Sequence, residues 1–132
     1  MKRLNAVRRR AVKLLINDQN MSTDNKFKAL NILPLSQQLT FNKTIMAYKI
    51  YHNEAPPYLS PLFRKATDRY GSIRLTLPPV RIDIFKCSLA YSGSVLWNNT
   101  IPNHLKSVTS TPSFKKQFKS YLQLQNNFAK FI

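Results

Sequence analysis

Glycine is almost absent from this 132-residue chain: Gly71 and Gly93 are the only two. No glycine-rich loop can therefore cradle a phosphate, which excludes the common nucleotide-binding signatures. The single cysteine, Cys87, excludes an intrachain disulfide. Its neighbours Phe85 and Leu89 predict a small buried hydrophobe rather than a nucleophile. No apolar run approaches the roughly 18 residues needed to span a bilayer as a helix. Acids are scarcest relative to need: Asp18, Asp24, Glu54, Asp68 and Asp83 are the whole supply. No two are adjacent, so the clustered carboxylates that hold a catalytic metal pair are missing. Asp68 and Asp83 are the one pair that the irregular middle of the chain could bring together. His52 and His104 have no cysteine or carboxylate at ligand spacing. The expectation is a chain with no cofactor, no metal and no catalytic residues.

What the chain has in excess is positive charge. Lys and Arg total 21 against 5 acids, a formal net charge of +16. A balance this one-sided points to a polyanion as partner, nucleic acid before an acidic membrane surface. The apolar fraction of 43% is enough for a core. The amino-terminal 16 residues are Arg-rich, acid-free and amphipathic, as a mitochondrial transit peptide is, but they lack serine. Nuclear or cytoplasmic location is the expectation.

The pattern predicts a mainly α fold: one small domain over residues 1–132, with about five helices near 3–16, 23–32, 36–52, 87–98 and 112–124. A proline-rich extended zone at 54–86 separates two helical zones, 3–53 and 87–124, and 125–132 form a tail. In the first helix Leu4, Val7, Ala11 and Leu14 share the face expected to pack inward, with Lys2, Arg9 and Lys13 opposite. Ser22 or Thr23 is expected to cap the second helix, and Ser36 the third. The third helix carries two apolar stripes, Leu39, Met46 and Ile50, and Phe41, Ile45 and Tyr48, and reads as the central element. Residues 72–77 and 81–85 alternate, which predicts a short two-stranded ribbon. Thr111 followed by Pro112 is a helix start, with Thr111 as cap. That last helix should bury Phe114, Phe118, Tyr121 and Leu122.

Two stretches exceed what composition produces: APPYLSPLF at 55–63 and AYSGSVLWNNTIP at 90–102. With LNAVRRRAVKLL, LNILPL, TIMAYKIYHNE, RYGSIRLTLPPVR, FKCSL, NHLK and PSFKKQFKSYL, they follow one another from about Leu4 to Leu122. In that order and spacing they resemble the region downstream of the polymerase domain in reverse transcriptases of non-LTR, jockey-like retrotransposons. The matching positions include Tyr91, Gly93, Trp97 and Asn98. Ser92 stands where the family often has a basic residue, and Asn98-Asn99-Thr100-Ile101-Pro102 is longer than the family's usual turn. The paired aspartates of the polymerase and the endonuclease have no counterpart here. The resemblance implies a non-catalytic carboxy-terminal fragment of such a protein, from a truncated or degraded copy.

Two functions compete. The first is sequence-independent binding of RNA or DNA phosphates by Lys2, Arg9, Arg10 and Lys13 near one end and Lys115, Lys116 and Lys119 near the other. Tyr70, Tyr91 and Trp97 are candidates to stack on unpaired bases, although core packing suits Trp97 better. The second is an inert remnant or interaction module that packs against the polymerase domain of a full-length element protein, leaving Met46, Phe41 and Tyr48 exposed in the isolated chain. A basic amphipathic helix on an anionic membrane is a third, disfavoured by the lack of Trp and Phe in the first 16 residues.

Overall fold

The computed structural model describes residues 2–66 and 73–129, with side chains described through residue 125 in the last helix. The fold is mainly helical, as the pattern predicts. Six α-helices occur among the described residues: α1 (Lys2–Leu15), α2 (Thr23–Ala29), α3 (Leu35–Tyr51), α4 (Leu89–Asn99), α5 (Asn103–Lys106) and α6 (Thr111–Ala129). Turns of 3-10 helix cover Pro57–Leu62 and Asp83–Cys87, and two short strands, β1 (Arg64–Ala66) and β2 (Arg74–Thr76), lie between them. The chain divides into two compact units, Met1–Leu39 and Thr40–Ile132, with the division inside α3.

In the first unit α1 packs on α2. The inward face is not the one expected. Leu4, Val7 and Leu14 are 51%, 61% and 84% exposed, and Val12 is the buried residue of α1 at 2%. The reason is Arg8, one turn before Val12. Its Nη2 donates to the Leu33 carbonyl at 2.6 Å, and its guanidinium lies 5.6 Å from the Phe27 ring centroid. A long apolar stem with a charged donor at its tip can turn a helix edge inward that periodicity scores as polar. Ser22 caps α2, accepting from the Asn25 amide at 3.3 Å.

With so little glycine, asparagine ends the helices. Asn31 (φ 57°) and Asn53 (φ 59°) adopt the left-handed conformation after α2 and α3. The following amides reach back to Phe27 and Lys49 carbonyls at 2.9 and 2.8 Å, the wide closing bond of this type of helix stop. Two expected caps are corrected. Ser36 lies inside α3, and the Pro34 carbonyl accepts from Gln38 N at 2.8 Å. At α6 the Ser110 carbonyl receives the Phe114 amide, while the Thr111 hydroxyl donates to the Glu54 carboxylate.

In the second unit Thr44, Ile45, Ala47, Tyr48 and Ile50 of α3 are buried. Tyr48 stacks on Phe114 at 4.1 Å, and its hydroxyl donates to the Val108 carbonyl. Phe114, Phe118 and Leu122 recur every four residues and form the inward stripe of α6, with Phe41 stacked on Phe118. Met46 is 40% exposed, but Tyr48 is fully buried and Phe41 half-buried, so the exposed patch expected on α3 does not form.

The ribbon also differs from expectation. β2 pairs antiparallel with β1, Lys65 opposite Leu75, and residues 83–87 are helical instead. Ile82, Ile84 and Cys87 are exposed, which overturns the inward strand and the buried thiol.

The sequence AYSGSVLWNN makes α4 the clamp of this unit. A Cβ on Gly93 would lie 2.9 Å from the Phe63 ring, so only glycine admits that ring in place. Trp97 is fully buried and stacked on Tyr51 of α3 at 4.6 Å. Asn98 Oδ1 accepts from the Leu75 amide, and Asn98 Nδ2 donates to the Leu75 carbonyl, both at 2.9 Å. The side-chain amide thus occupies the outer edge of β2, where a third strand would pair.

Candidate nucleic-acid interface

α1 presents three different edges. The Arg8–Val12 edge meets its own unit. Lys2, Arg9 and Lys13 lie about 100° around the helix from it, and Arg3 and Arg10 lie opposite Val12. All five are exposed, and α1 contains no acid. These cations reach solvent as the charge pattern predicts, and Arg3 extends the set. Its spacing of seven from Arg10 was the available signal. The third edge is the exposed apolar strip of Leu4, Val7, Ala11 and Leu14, continued by Leu15.

In the second unit Lys115 and Lys116 are exposed and Lys119 is half-buried on α6. Lys119 follows Lys116 by three residues and Lys115 by four, so the three share one side of α6. Lys115 and Lys119 border the buried stripe on that side, and Lys116, farther around, also lines a shallow cleft of about 610 Å³ between α5 and α6. His104 and Leu105 of α5 form one wall, and Ser113, Gln117 and Tyr121 of α6 stand with Lys116 on the other. No carboxylate lines it. Sequence reasoning missed this cleft because α5 is only four residues long, too short to show a period.

The aromatic candidates separate clearly. Trp97 is 0% exposed and is removed as a stacking platform. Tyr91 is half-buried on α4. Tyr70 lies outside the described residues. Tyr121, expected as core, is half-buried beside Phe118, with Gln125 Nε2 donating to its hydroxyl at 2.8 Å.

Not every cation is available to a phosphate. Lys106 is 2% exposed, with Nζ 5.8 Å from the Trp97 ring centroid. Burial, and then the nearby charge of Arg74, hold its pKa below the usual lysine value. Lys65 remains exposed, with Nζ 4.4 Å from the Tyr51 ring centroid. Both serve the aromatic cluster around Trp97.

Asp83 pairs with Lys86 at 3.1 Å, and Asp68 lies outside the described residues. Among the described residues no three His, Cys, Asp or Glu side chains gather as a metal set, and no helix is long and apolar enough to cross a membrane. Comparison with protein-family models, with curated proteins and with solved structures finds no match.

Proposed function

We propose that this chain is a non-catalytic, sequence-independent nucleic-acid-binding segment of a non-LTR retrotransposon reverse transcriptase, from the region that follows the polymerase domain. The observation that carries the binding is the outer face of α1: Lys2, Arg3, Arg9, Arg10 and Lys13 reach solvent together with no acid on the helix. Such a face neutralises phosphates without reading bases. The lack of paired carboxylates supports a role without polymerase or nuclease chemistry. The family assignment rests on the ordered sequence segments alone.

The test is a titration with single-stranded RNA, duplex DNA and heparin at two salt concentrations. Each neutralised phosphate contributes about −0.9 to the log–log salt slope on duplex DNA, so Lys2, Arg9, Arg10 and Lys13 together give roughly −3 to −4. Changing all four to Gln should flatten the slope and weaken every sequence alike. Binding unchanged by the four substitutions moves the interface to Lys115, Lys116 and Lys119. No binding at low salt overturns the reading.

A second reading has one observation in its favour. The apolar strip on α1 is the kind of surface a protein partner covers, and a polymerase domain of the same protein is the partner that the resemblance suggests. The strip would be judged by co-purification of that domain with the chain, and by loss of the complex on Leu4→Ser and Leu14→Ser.

A further inference from the structure

The cleft between α5 and α6 has the chemistry of a particular ligand. It is large enough for a small molecule, at about 610 Å³. Its lining combines one lysine, one histidine, one tyrosine and neutral hydrogen-bonding groups, and it contains no acid. A bare phosphate needs none of the aromatic or apolar surface, and an apolar ligand needs none of the cation. A base, its sugar and its phosphate use all three. Duplex DNA does not offer a free base face, because its bases are stacked on one another; an unpaired nucleotide does.

Tyr121 is the natural platform. Its ring lines the cleft and is braced from two directions. Phe118 is stacked on it at 6.1 Å with planes 24° apart, and Gln125 donates to its hydroxyl at 2.8 Å. A ring held this way loses little freedom when a base stacks on it. Lys116 lies about one and a half helical turns before Tyr121 and lines the same cleft, where its exposed ammonium can meet a phosphate. Gln117 and Ser113 supply a donor and acceptor edge that suits any base.

We propose that the α5–α6 cleft takes an unpaired nucleotide of a single-stranded nucleic acid, its base against Tyr121 and its phosphate on Lys116. This rests on the nucleic-acid reading and adds a preference for single strands that the outer face of α1 does not supply. RNA and DNA share the base and phosphate, so oligo(U) and oligo(dT) are separate arms of the test.

The experiment measures affinity of the full chain for a 12-nucleotide oligo(U), a 12-nucleotide oligo(dT) and a 12-base-pair duplex at one fixed salt concentration. Tyr121→Leu keeps apolar bulk and removes the stacking face. It should weaken single-strand binding about 5- to 150-fold, the range for one stacked base, and duplex binding by less than about twofold. Gln117→Glu changes an exposed residue, so it leaves the core intact, and it places an acid in the cleft. It should show the same selectivity. Ultraviolet crosslinking of an oligonucleotide carrying one 5-bromouracil should map to Tyr121 or its cleft neighbours. Equal effects on single strand and duplex, no effect of either variant, or crosslinks confined to α1 overturn the cleft assignment while leaving the nucleic-acid reading intact. Failure of the unaltered chain to bind any of the three ligands at low salt overturns both.

Discussion

Asn98 is where the fold can be tested most sharply. Its side-chain amide gives one bond to the Leu75 carbonyl and receives one from the Leu75 amide, both at 2.9 Å. Each contributes about 1 kcal/mol net, so Asn98→Ala should cost about 2 kcal/mol. The loss matters because β1 and β2 are three residues each, too short to hold together alone. Asn98→Asp is the more informative change. One carboxylate oxygen still accepts from Leu75 N, but the other faces the Leu75 carbonyl, acceptor against acceptor. Protonation turns that oxygen into a donor and restores the pair, so the folded state raises the new carboxyl's pKa above its unfolded value near 3.9. The sign follows. The folded state binds the proton more tightly, so stability is greatest below about pH 3.9 and falls as pH rises through the folded pKa. The assay is urea unfolding followed by the fluorescence of Trp97, the only tryptophan and the neighbour of residue 98. Relative to the unaltered chain, Asn98→Asp should cost about 2 kcal/mol at pH 7 and much less at pH 3. Asn98→Ala should cost the same at both. An Asn98→Asp penalty that does not change with pH would refute the clamp geometry, as would an Asn98→Ala penalty below about 0.5 kcal/mol.

Gly93→Ala sets two effects against each other: a gain of about 1 kcal/mol in helix propensity and an overpacking cost of about 1–3 kcal/mol against Phe63. A net loss of up to about 2 kcal/mol is expected in urea unfolding, relieved when Phe63→Leu is added; a gain of about 1 kcal/mol from Gly93→Ala alone would contradict the close approach. Burial, and then the charge of Glu54, raise the Tyr48 pKa above 10.0. The folded state therefore keeps this proton longer, and the hydroxyl's contribution is complete below pH 10 and lost as pH rises through the folded pKa. The stability gap between the unaltered chain and Tyr48→Phe, about 1 kcal/mol at pH 7, should narrow above pH 10; a gap that stays constant up to pH 11 would show that the phenol is not so placed.

The helices were legible because their signals are local. Ser22 capping α2, the four-residue recurrence of Phe114, Phe118 and Leu122, and the prolines that break the middle zone need no tertiary partner. What was not legible depended on contacts between distant residues. Arg8 chose the inward edge of α1 through a carbonyl 25 residues away. Thr111 left its cap position for Glu54. β2 pairs with β1 on one edge and with the Asn98 side chain on the other, and no alternation in residues 81–85 reveals that. The left-handed Asn31 and Asn53 could have been read, since asparagine is the residue after glycine that tolerates this conformation. For the site, the α1 cations were visible as charge, whereas the α5–α6 cleft needed two helices in place.

The unusual packing of α1 also sets how this chain behaves in concentrated solution. An exposed strip of Leu4, Val7, Leu14 and Leu15 is adhesive, and a second copy carries the same strip. Mutual repulsion from a net charge of +16 opposes the approach of two copies. That repulsion acts over about 10 Å at 0.1 M salt and only about 3 Å at 1 M. Added salt should therefore drive the chain toward self-association through the same helix whose other edge repels. Light scattering across a salt series should show this onset, and Leu14→Ser should move it to higher salt. A falling signal in a salt titration with nucleic acid then has two sources, competition for phosphates and withdrawal of free chain, and repeating it at several protein concentrations separates them.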